Sequence, residues 1–495
     1  MSAGISASML YDYVQCQHRV WLDLFVDPHD RDDVSAFVEL LWERGNAFER
    51  NVIEAVEEPF LNLKDEPLSE RARLTREAMT AGQSLIYGGR ILSDDLLGEP
   101  DLLRLQGNGY VPGDIKSGAA TEPGNEDEDR KPKKHYAVQL ALYADILRRL
   151  GLMGDGHPFV WDIHGEEVVY DLNSSRGPRI KSTMWDEYLE ALEATRALAT
   201  GQASTTGAWA SSCNQCHWRT LCKSELEVAD DLTLIPELGR AARDKLSGLF
   251  TTVAELASAD LGQFIQGSKT TIKGVSASTL NRFHARARLQ KESNPKPYFL
   301  EDVALPRDRL ELFFDVETDP MRGICYLHGF LERVNSDQSS ERYVPFLADQ
   351  PSAEAEEVAF ANAWKYIETS DPSALFYYSP YEKTKWRQLA ERYPSVATSG
   401  KVDELFESEI AFDLYHDLVR SKMIWPTRSL GIKHIATFLG FSWRDKDPSG
   451  AASIQWYHQW VEHGDDGYRQ RILEYNEDDC KAMRILTDAV RGLRG

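Results

Sequence analysis

Apolar and polar residues alternate along several short stretches in the last third of the chain. The stretch LELFFDVETDP (310–320) predicts a strand that ends in acidic residues. GICYLHGFLERV (323–334), RYVPFLA (342–348) and ALFYYS (374–379) predict three more strands. The segment AEAEEVAFANAWKYIE (353–368) has the spacing of an amphipathic helix instead. The predicted order is β-β-β-α-β, and the polar run after the fourth strand predicts a further helix.

The first 300 residues have a different pattern. HYAVQLALYADILRRL (135–150) repeats its apolar positions at helical spacing, whereas GEPDLLRLQGNGYVPGDIKSG (98–118) predicts two strands around a glycine-rich turn. The residues from about 226 to 300 predict short helices separated by turns. These changes divide the chain into three predicted domains, 1–225, 226–300 and 301–495, and indicate an α/β multidomain protein.

Composition and charge exclude few classes of protein. The 495 residues are 42% hydrophobic and 27% charged, as in ordinary globular proteins. The net charge of −23 argues against a nucleic-acid partner, yet clustered carboxylates can also hold Mg²⁺ beside a phosphate. No apolar run is long enough to cross a bilayer, and the N-terminus lacks the pattern of a secretion signal. A cytoplasmic location is therefore expected.

Six cysteines in a reducing compartment favour metal binding over disulfides. Three of them form the pattern C-x2-C-x5-C in CNQCHWRTLC, namely Cys213, Cys216 and Cys222. A closed tetrahedral site needs a fourth ligand, and Cys16 in YDYVQCQHRVW is the candidate. Cys325 and Cys480 are expected to be small buried residues, because free cysteine packs as a small hydrophobe.

Two acidic residues and a lysine accompany the predicted hairpin of residues 98–118. Asp101 precedes the turn, and Asp114 and Lys116 end the second strand, so strand alternation lets the three side chains share one face. Carboxylates hold a hard divalent cation, and a lysine stabilises developing negative charge or positions a water. The alternative is a surface hairpin with scattered charges, because this spacing is common by chance.

Gln139 and Tyr143 lie four residues apart on one face of the helix that follows. Helix packing alone explains such a pair. The order of the motifs is a more specific signal than the pair alone: the acidic hairpin comes first, then Gln139 and Tyr143, then the cysteine cluster.

This order resembles the RecB/AddB-type branch of the PD-(D/E)XK nucleases, including CRISPR-associated relatives, over residues from about 5 to 225. The resemblance implies a restriction-endonuclease-like domain with a catalytic set of Asp101, Asp114, Lys116, Gln139 and Tyr143. It also implies that Cys16, Cys213, Cys216 and Cys222 bind a [4Fe–4S] cluster that clasps the domain. Zinc is the alternative, because four thiolates suit it equally.

One departure from this family concerns a metal ligand in an early helix. The family usually carries a histidine there, and the matching stretch RGNAFER (44–50) has Phe48 at that position and Glu49 after it. Phenylalanine cannot bind a metal. Either Glu49 substitutes for the histidine, or this domain binds metal weakly and lacks full activity.

The middle region predicts paired helical hairpins. DLTLIPELGRAARDKLSGLFTTVAELASADL (231–261) and KGVSASTLNRFHARARLQ (273–290) resemble helix-hairpin-helix units, whose turn amides hold DNA phosphates without reading sequence. Arg282, Arg286 and Arg288 are candidates for further phosphate contacts. The alternative is a helical connector with a solvated face.

The strongest single motif lies at the end of the first strand in the last block. Asp315 and Glu317 share one strand face about 7 Å apart, a spacing that allows two carboxylates to share metal ions. Near the C-terminus, Tyr475 and Asp479 stack on one face of the predicted helix 472–486.

Together these motifs and the β-β-β-α-β-α order resemble the DEDDy 3′→5′ exonucleases of the ribonuclease H fold. The resemblance implies that Glu382 in YSPYE is the remaining acid, with Asp413 as the substitute if Glu382 points away. It further implies that Asp315, Glu317, Glu382 and Asp479 hold two Mg²⁺ or Mn²⁺ ions, while Tyr475 orients the attacking water.

The whole arrangement resembles a bacterial family of RecB-like nucleases, in which many members carry a helicase downstream. No G-x4-GK[ST] stretch occurs in the sequence, so a separate helicase is the expected partner for opening duplexes. The interpretation is a metal-dependent DNA exonuclease in DNA repair or in defence against foreign DNA. The alternatives are a nucleic-acid-binding scaffold with inactive centres, or an exonuclease that acts on RNA.

Overall fold

The computed structural model of the protein describes residues 4–122, 130–306, 309–446 and 448–493. The chain forms two compact units: Met1–Gly207 with Ser211–Cys222, and Ala208–Ala210 with Lys223–Gly495. The second unit contains both the predicted helical hairpins and the predicted strands that follow them. Within the described ranges, no helix is long and apolar enough to span a bilayer.

The first unit mixes helices with short strands. Its strands are β1 (Ile5–Ser6), β2 (Leu61–Asn62), β3 (Leu85–Tyr87), β4 (Ile91–Ser93), β5 (Leu96–Gly98), β6 (Leu102–Gln106), β7 (Gly109–Ile115), β8 (Phe159–Trp161) and β9 (Glu167–Val169). Its helices are α1 (Ala7–Gln15), α2 (Gln17–Phe25), α3 (Ala36–Glu54), α4 (Leu68–Thr80), α5 (Lys134–Arg149) and α6 (Met184–Ala199), and α7 (Arg219–Val228) begins here. Two short 3-10 helices cover Pro28–Asp30 and Ser211–Gln215.

A six-stranded sheet with the order β2-β3-β6-β7-β8-β9 organises this unit. The predicted hairpin is its antiparallel β6–β7 pair, and Gly107 at the turn has φ +65°, a conformation that glycine adopts without strain. β8 joins β7 in parallel, after α5 has crossed the sheet. α5 is buried over most of its length, because eleven of its sixteen residues are shielded from solvent. The catalytic candidates on β7 and α5 therefore lie on rigid elements.

The second unit begins with helices and continues into a five-stranded sheet with further helices. Its strands are β10 (Ile265–Gln266), β11 (Lys269–Thr270), β12 (Tyr298–Phe299), β13 (Leu310–Asp319), β14 (Ile324–Val334), β15 (Arg342–Leu347), β16 (Ala374–Tyr377), β17 (Ala411–Asp413) and β18 (Met423–Ile424). Its helices are α8 (Gly239–Leu246), α9 (Val253–Ser258), α10 (Ala277–Lys291), α11 (Ala353–Ser370), α12 (Tyr381–Arg392), α13 (Ser399–Phe406), α14 (Ile432–Phe438), α15 (Gly450–His463) and α16 (Asp466–Gly492). A π-helix covers Tyr415–Arg420, and 3-10 helices cover Leu232–Leu234, Leu261–Gln263 and Gln338–Ser340.

A five-stranded sheet with the order β15-β14-β13-β16-β17 forms the centre of the second unit. The first three strands are antiparallel neighbours, and β16 and β17 add in parallel on the other side of β13. The order of β13 to α12 is the β-β-β-α-β-α order predicted from the sequence. Strand β17 was not predicted, because its three residues are too short to show an alternating pattern.

The alternation of β13 sends its side chains into two separate cores. Leu312, Phe314 and Val316 pack with residues of α11 and α12 on one face of the sheet. Phe313 packs with residues of α16 on the other face. Asp315 and Glu317 lie two and four residues after Phe313, so strand alternation directs their side chains to the same face, toward α16.

The short helices of the second unit pack around a core of their own, which includes Leu246, Leu256 and Leu280. The proposed phosphate contact by Arg286 is wrong. The Arg286 side chain is fully buried, and its Nη1 donates to Pro236 O at 2.7 Å and to Glu237 at 3.0 Å. A guanidinium used in this way holds the turn of the hairpin and is not available to DNA.

The two cysteines that were expected to be buried are buried. Cys325 lies on β14 and Cys480 on α16, with exposed fractions of 3% and 0%. Each packs among apolar residues on its own side of the sheet. Their prediction as small core residues is confirmed.

Candidate functional site

Three carboxylates meet where β13 approaches α16. Asp315 and Glu317 are directed to the α16 face by strand alternation, and Asp479 comes from the helix. One ligand atom from each lies within 4.8 Å of the others. Among the described residues, no other group of three or more His, Cys, Asp or Glu side chains is as close. The sequence predicted all three members.

An asparagine that was not predicted holds the first of these acids. Asn476 Nδ2 donates to Asp315 Oδ2 at 2.6 Å, and Asn476 Oδ1 accepts from Tyr343 Oη at 2.8 Å. Gly329 pairs with Asp315 across the β13–β14 ladder. A Cβ atom at Gly329 would lie 1.6 Å from Asn476 Oδ1, so only glycine leaves room for the amide. Asp315 is therefore fixed by an amide that depends on a neighbouring glycine.

Burial and mutual repulsion make these carboxylates difficult to ionise without a cation. Burial, followed by the charges of Glu317 and Asp479, raises the pKa of Asp315 well above its usual value. Burial and the Asp479 charge raise the pKa of Glu317 to about 8. Burial also raises the pKa of Asp479, although Lys433 opposes the shift. Carboxylate oxygens are the donors that Mg²⁺ and Mn²⁺ prefer, so this donor set fits a divalent metal.

Glu382, the fourth acid implied by the sequence, interacts electrostatically with Asp315 and Asp479. It lies in the first turn of α12, directly after β16, and only 3% of it is exposed. Burial raises its pKa well above the usual value, with further contributions from Asp413 and Asp479. Within the described part of the chain, its buried Oε2 has no hydrogen-bond partner. A buried carboxylate oxygen without a hydrogen-bond partner needs an explanation, and an unplaced metal ion is one.

Asp413 does not take the place of Glu382. Its Oδ1 accepts backbone N–H groups from Ser379, Tyr415 and His416 at 3.2, 2.8 and 2.9 Å. This oxygen therefore caps the π-helix that follows β17. Because Asp413 Oδ1 is occupied in this way and Glu382 Oε2 has no partner among the described residues, Glu382 is favoured over Asp413 as the fourth acid.

Tyr475 and two further residues that were not predicted surround Asp479. Tyr475 lies one turn before Asp479 on α16, and burial followed by the charge of Asp479 raises the pKa of its hydroxyl well above the usual value. Lys433 Nζ donates to Tyr475 Oη at 2.8 Å. Trp443 Nε1 donates to Asp479 Oδ1 at 2.7 Å. No short motif distinguishes Lys433 or Trp443 in the sequence, since only the fold brings them to α16.

A second acidic group lies on the β6–β7 hairpin of the first unit. Asp101 Oδ2 accepts from Ile115 N at 2.9 Å, and Lys116 Nζ lies 2.9 Å from Asp114 Oδ2. Burial and the Asp114 charge raise the pKa of Asp101 to about 7, although Lys116 opposes the shift. The fold thus brings together the two acids and the lysine that the sequence predicted.

The helix α5 brings Tyr143 to this group, and Gln139 lies one turn before it on the same helix. Tyr143 is buried, and the charges of Asp114 and Asp101 add to burial in raising its pKa. Its hydroxyl donates to Glu99 O at 3.4 Å. Within the described residues, the buried Oε1 of Gln139 has no hydrogen-bond partner. The arrangement leaves Gln139 available to a substrate or a bound water.

The early helix α3 brings Glu49, and not Phe48, to the acids. Phe48 packs against an apolar cluster. Glu49 Oε1 accepts from Lys64 Nζ and from Tyr87 Oη, each at 2.8 Å. Lys64 Nζ also lies 3.9 Å from Asp101 Oδ1. The geometry supports the alternative in which Glu49 stands where the family has a histidine.

The fold brings the cysteine cluster and Cys16 near one another. Cys16 lies between α1 and α2, and burial raises the pKa of the Cys216 thiol, with small contributions from Cys16 and Cys213. The described cysteines form no disulfide. A tetrahedral zinc site has sulfurs about 3.8 Å apart, given Zn–S bonds of roughly 2.3 Å. No three of these four sulfurs lie within 4.8 Å of one another in the described chain, so their spacing is wider than a closed zinc site requires.

Two regions of the chain are similar to known protein families. Residues 13–223 match the PD-(D/E)XK nuclease superfamily, and residues 312–491 match the RNase_H superfamily. No curated protein matches the chain. The predicted α/β architecture with these two nuclease-type domains is confirmed, and both domains support a hydrolytic nuclease.

Proposed function

We propose that this chain, which combines a PD-(D/E)XK nuclease domain with an RNase H-like domain, is a metal-dependent DNA exonuclease. Its C-terminal centre would remove nucleotides in the 3′→5′ direction. The observation that carries the proposal is the group formed by Asp315, Glu317 and Asp479, whose ligand atoms lie within 4.8 Å. Buried carboxylates this close are unfavourable unless a cation neutralises them.

The residues of this centre have distinct roles in the proposed reaction. Asp315, Glu317, Glu382 and Asp479 would hold two Mg²⁺ or Mn²⁺ ions, which activate the attacking water and neutralise charge on the scissile phosphate. Asn476 keeps Asp315 in one orientation through its 2.6 Å hydrogen bond. Tyr475 positions the water beside Asp479. Hydrolysis of the P–O bond then leaves a free 3′-hydroxyl on the shortened strand.

The first unit would act as the second nuclease-type centre. Asp101 and Asp114 would hold a divalent metal with Glu49, while Lys116 stabilises the negative charge that develops on the phosphate. Gln139 and Tyr143 would position the strand or the water from α5. This role is supported by the approach of Glu49 to Asp101, since Lys64 contacts both carboxylates.

The same unit would carry a [4Fe–4S] cluster bound by Cys16, Cys213, Cys216 and Cys222, with zinc as the alternative. Iron and acid-labile sulfide in equal amounts after anaerobic purification, with the visible absorbance of an iron–sulfur protein, would support the cluster. One zinc per chain and no iron would contradict it.

The cellular part of the proposal is a cytoplasmic role in DNA repair or in defence against foreign DNA. A separate helicase would supply single strands from duplex ends. This part rests on the resemblance of the domain arrangement to RecB-like nucleases. It is tested by purifying the chain from its own cells and identifying a bound helicase.

The activity is tested by incubating 5′-end-labelled single-stranded DNA with Mn²⁺ and the wild-type chain, Asp315→Asn or Lys116→Ala. A ladder of shortening products that disappears only with Asp315→Asn supports the C-terminal centre. Loss only with Lys116→Ala would assign the activity to the first unit. If the wild type binds DNA and releases no nucleotides, the chain is a scaffold. If it degrades RNA and not DNA, the substrate is RNA.

A further inference from the structure

The C-terminal centre contains a lysine that the two-metal scheme does not use. Lys433 is the second residue of α14, and its Nζ donates to Tyr475 Oη at 2.8 Å and to Pro448 O at 2.5 Å. The same Nζ lies 4.6 Å from the centroid of the Tyr475 ring. The lysine is therefore held by a carbonyl oxygen on one side and directed at the tyrosine on the other.

The hydrogen-bonding capacity of a tyrosine limits what Tyr475 can do. A phenolic hydroxyl has one proton to donate and two lone pairs that accept. An ammonium group only donates, so Lys433 must use one of the lone pairs. Asp479, one turn further along α16, would take the hydroxyl proton, since residues four apart on a helix share one face and the charge of Asp479 helps to keep the hydroxyl protonated. One lone pair on Tyr475 Oη is left.

We propose that Lys433 is a positioning residue for the nuclease reaction, which fixes the Tyr475 hydroxyl so that its remaining lone pair accepts a hydrogen bond from the attacking water. A water that donates one proton to Tyr475 Oη turns its own lone pair toward the phosphorus. Without Lys433, Tyr475 can rotate its proton toward the water, and the water then loses this orientation. The inference rests on the proposed function of this centre.

A different role for Lys433 is simple compensation of negative charge. The lysine charge lowers the pKa values of Asp315, Glu317 and Asp479 against the effect of burial. If compensation were its whole role, removal of Lys433 would change metal binding and would act independently of the tyrosine. The two roles therefore predict different results in a double-mutant cycle.

The test compares steady-state cleavage of labelled single-stranded DNA by wild type, Lys433→Met, Tyr475→Phe and the double variant. We expect each single variant to lower kcat roughly 10- to 100-fold with little change in KM, because a misplaced water costs about this much. The double variant should be no slower than the slower single variant. Lys433→Arg should recover part of the loss, since its guanidinium can still donate to Tyr475 Oη.

Two controls separate this role from general damage. Lys481→Met removes a lysine that pairs with Glu477 on the same helix α16, and it should keep the wild-type rate. Because the Lys433 charge also acts on the acids, calorimetric titration with Mn²⁺ measures the affinity of each variant, and the rates are compared at saturating Mn²⁺. Thermal unfolding of every variant shows whether a loss of rate reflects a loss of fold.

The outcomes distinguish this inference from the proposed function. If wild type releases nucleotides and the two single effects multiply in the double variant, Lys433 acts independently of Tyr475 and the inference is wrong. Tighter Mn²⁺ binding by Lys433→Met with an unchanged rate would likewise show a lysine that only compensates charge. If wild type and Lys481→Met release nothing from DNA or RNA, the proposed function itself fails, and the inference fails with it.

Discussion

Gly329→Ala is expected to disrupt the C-terminal centre without touching an acidic residue. The new Cβ would lie 1.6 Å from Asn476 Oδ1, whereas real Cβ contacts essentially never fall below 3.0 Å. Asn476 must therefore retreat by at least about 1.4 Å, because Gly329 is held between β13 and β15 in the middle of the sheet. Such a movement breaks the 2.6 Å hydrogen bond from Asn476 to Asp315.

The cost can be worked out from these contacts. Overpacking of a well-packed core costs about 1–3 kcal/mol, and leaving the buried carboxyl of Asp315 without its hydrogen-bond donor costs about 1–3 kcal/mol more. We expect Gly329→Ala to lower the free energy of unfolding of the second unit by about 3 kcal/mol or more. The melting temperature of this unit should fall by roughly 6 °C or more. Exonuclease activity should fall as well, because Asp315 loses its fixed orientation.

Thermal unfolding followed by circular dichroism measures the stability, and the labelled DNA assay measures the activity. The matched control is Gly450→Ala, in the first turn of α15, where an added Cβ meets no atom within 4 Å. Gly329→Ala combined with Asn476→Ala should recover only the part of the stability that is lost to overpacking, and none of the activity, since the clash is removed and the hydrogen bond is not restored. A Gly329→Ala protein as stable and active as Gly450→Ala would refute the packing argument.

Other predictions concern charge, burial and the first unit. Because the pKa of Glu317 rises from 4.5 to about 8 on folding, the metal-free folded state binds more protons than the unfolded state between these values. The melting temperature of the second unit should therefore fall as pH rises through this range, and saturating Mn²⁺ should remove the decline. Arg286→Met should destabilise the second unit by about 1–3 kcal/mol, because it leaves buried acceptors unpaired. The affinity of the remaining folded protein for DNA should not change. A loss of DNA affinity at full stability would contradict the structural role of Arg286. In an Asp315→Asn background, Glu49→Ala should weaken Mn²⁺ binding to the first unit in calorimetry, and equal binding would exclude Glu49 as a ligand. Phe48→His in the same background should lower thermal stability without raising Mn²⁺ affinity, because residue 48 packs in an apolar cluster. A gain in Mn²⁺ affinity would show that residue 48 faces the metal site.

The acids could be predicted because their spacing is set by local geometry. A strand places Asp315 and Glu317 on one face, and a helix places Tyr475 and Asp479 one turn apart, whatever the rest of the fold does. Both patterns are visible in a few consecutive residues. The β-β-β-α-β-α order was also visible locally, since each of these strands is a run of at least four mostly apolar residues.

The supporting residues could not be predicted in this way. Asn476, Gly329 and Lys433 are ordinary residues in their local context, and they acquire roles only when α16, β14 and α14 meet. Arg286 was assigned wrongly because a basic residue on a helix is usually exposed. Here its guanidinium satisfies the acceptors of a tight turn, where Glu237 has φ +65°. Such tertiary contacts leave no periodic signal in the sequence.

The central claim is that the acidic group of the second unit forms a 3′→5′ exonuclease centre. The most direct measurement follows one single-stranded DNA, labelled at either its 5′ or its 3′ end, together with its circular form, in the presence of Mn²⁺ and the wild-type chain. The account predicts a ladder from the 5′ label, immediate release of mononucleotide from the 3′ label, and an intact circle. Release of the 5′ label first, or cleavage of the circle, would contradict it.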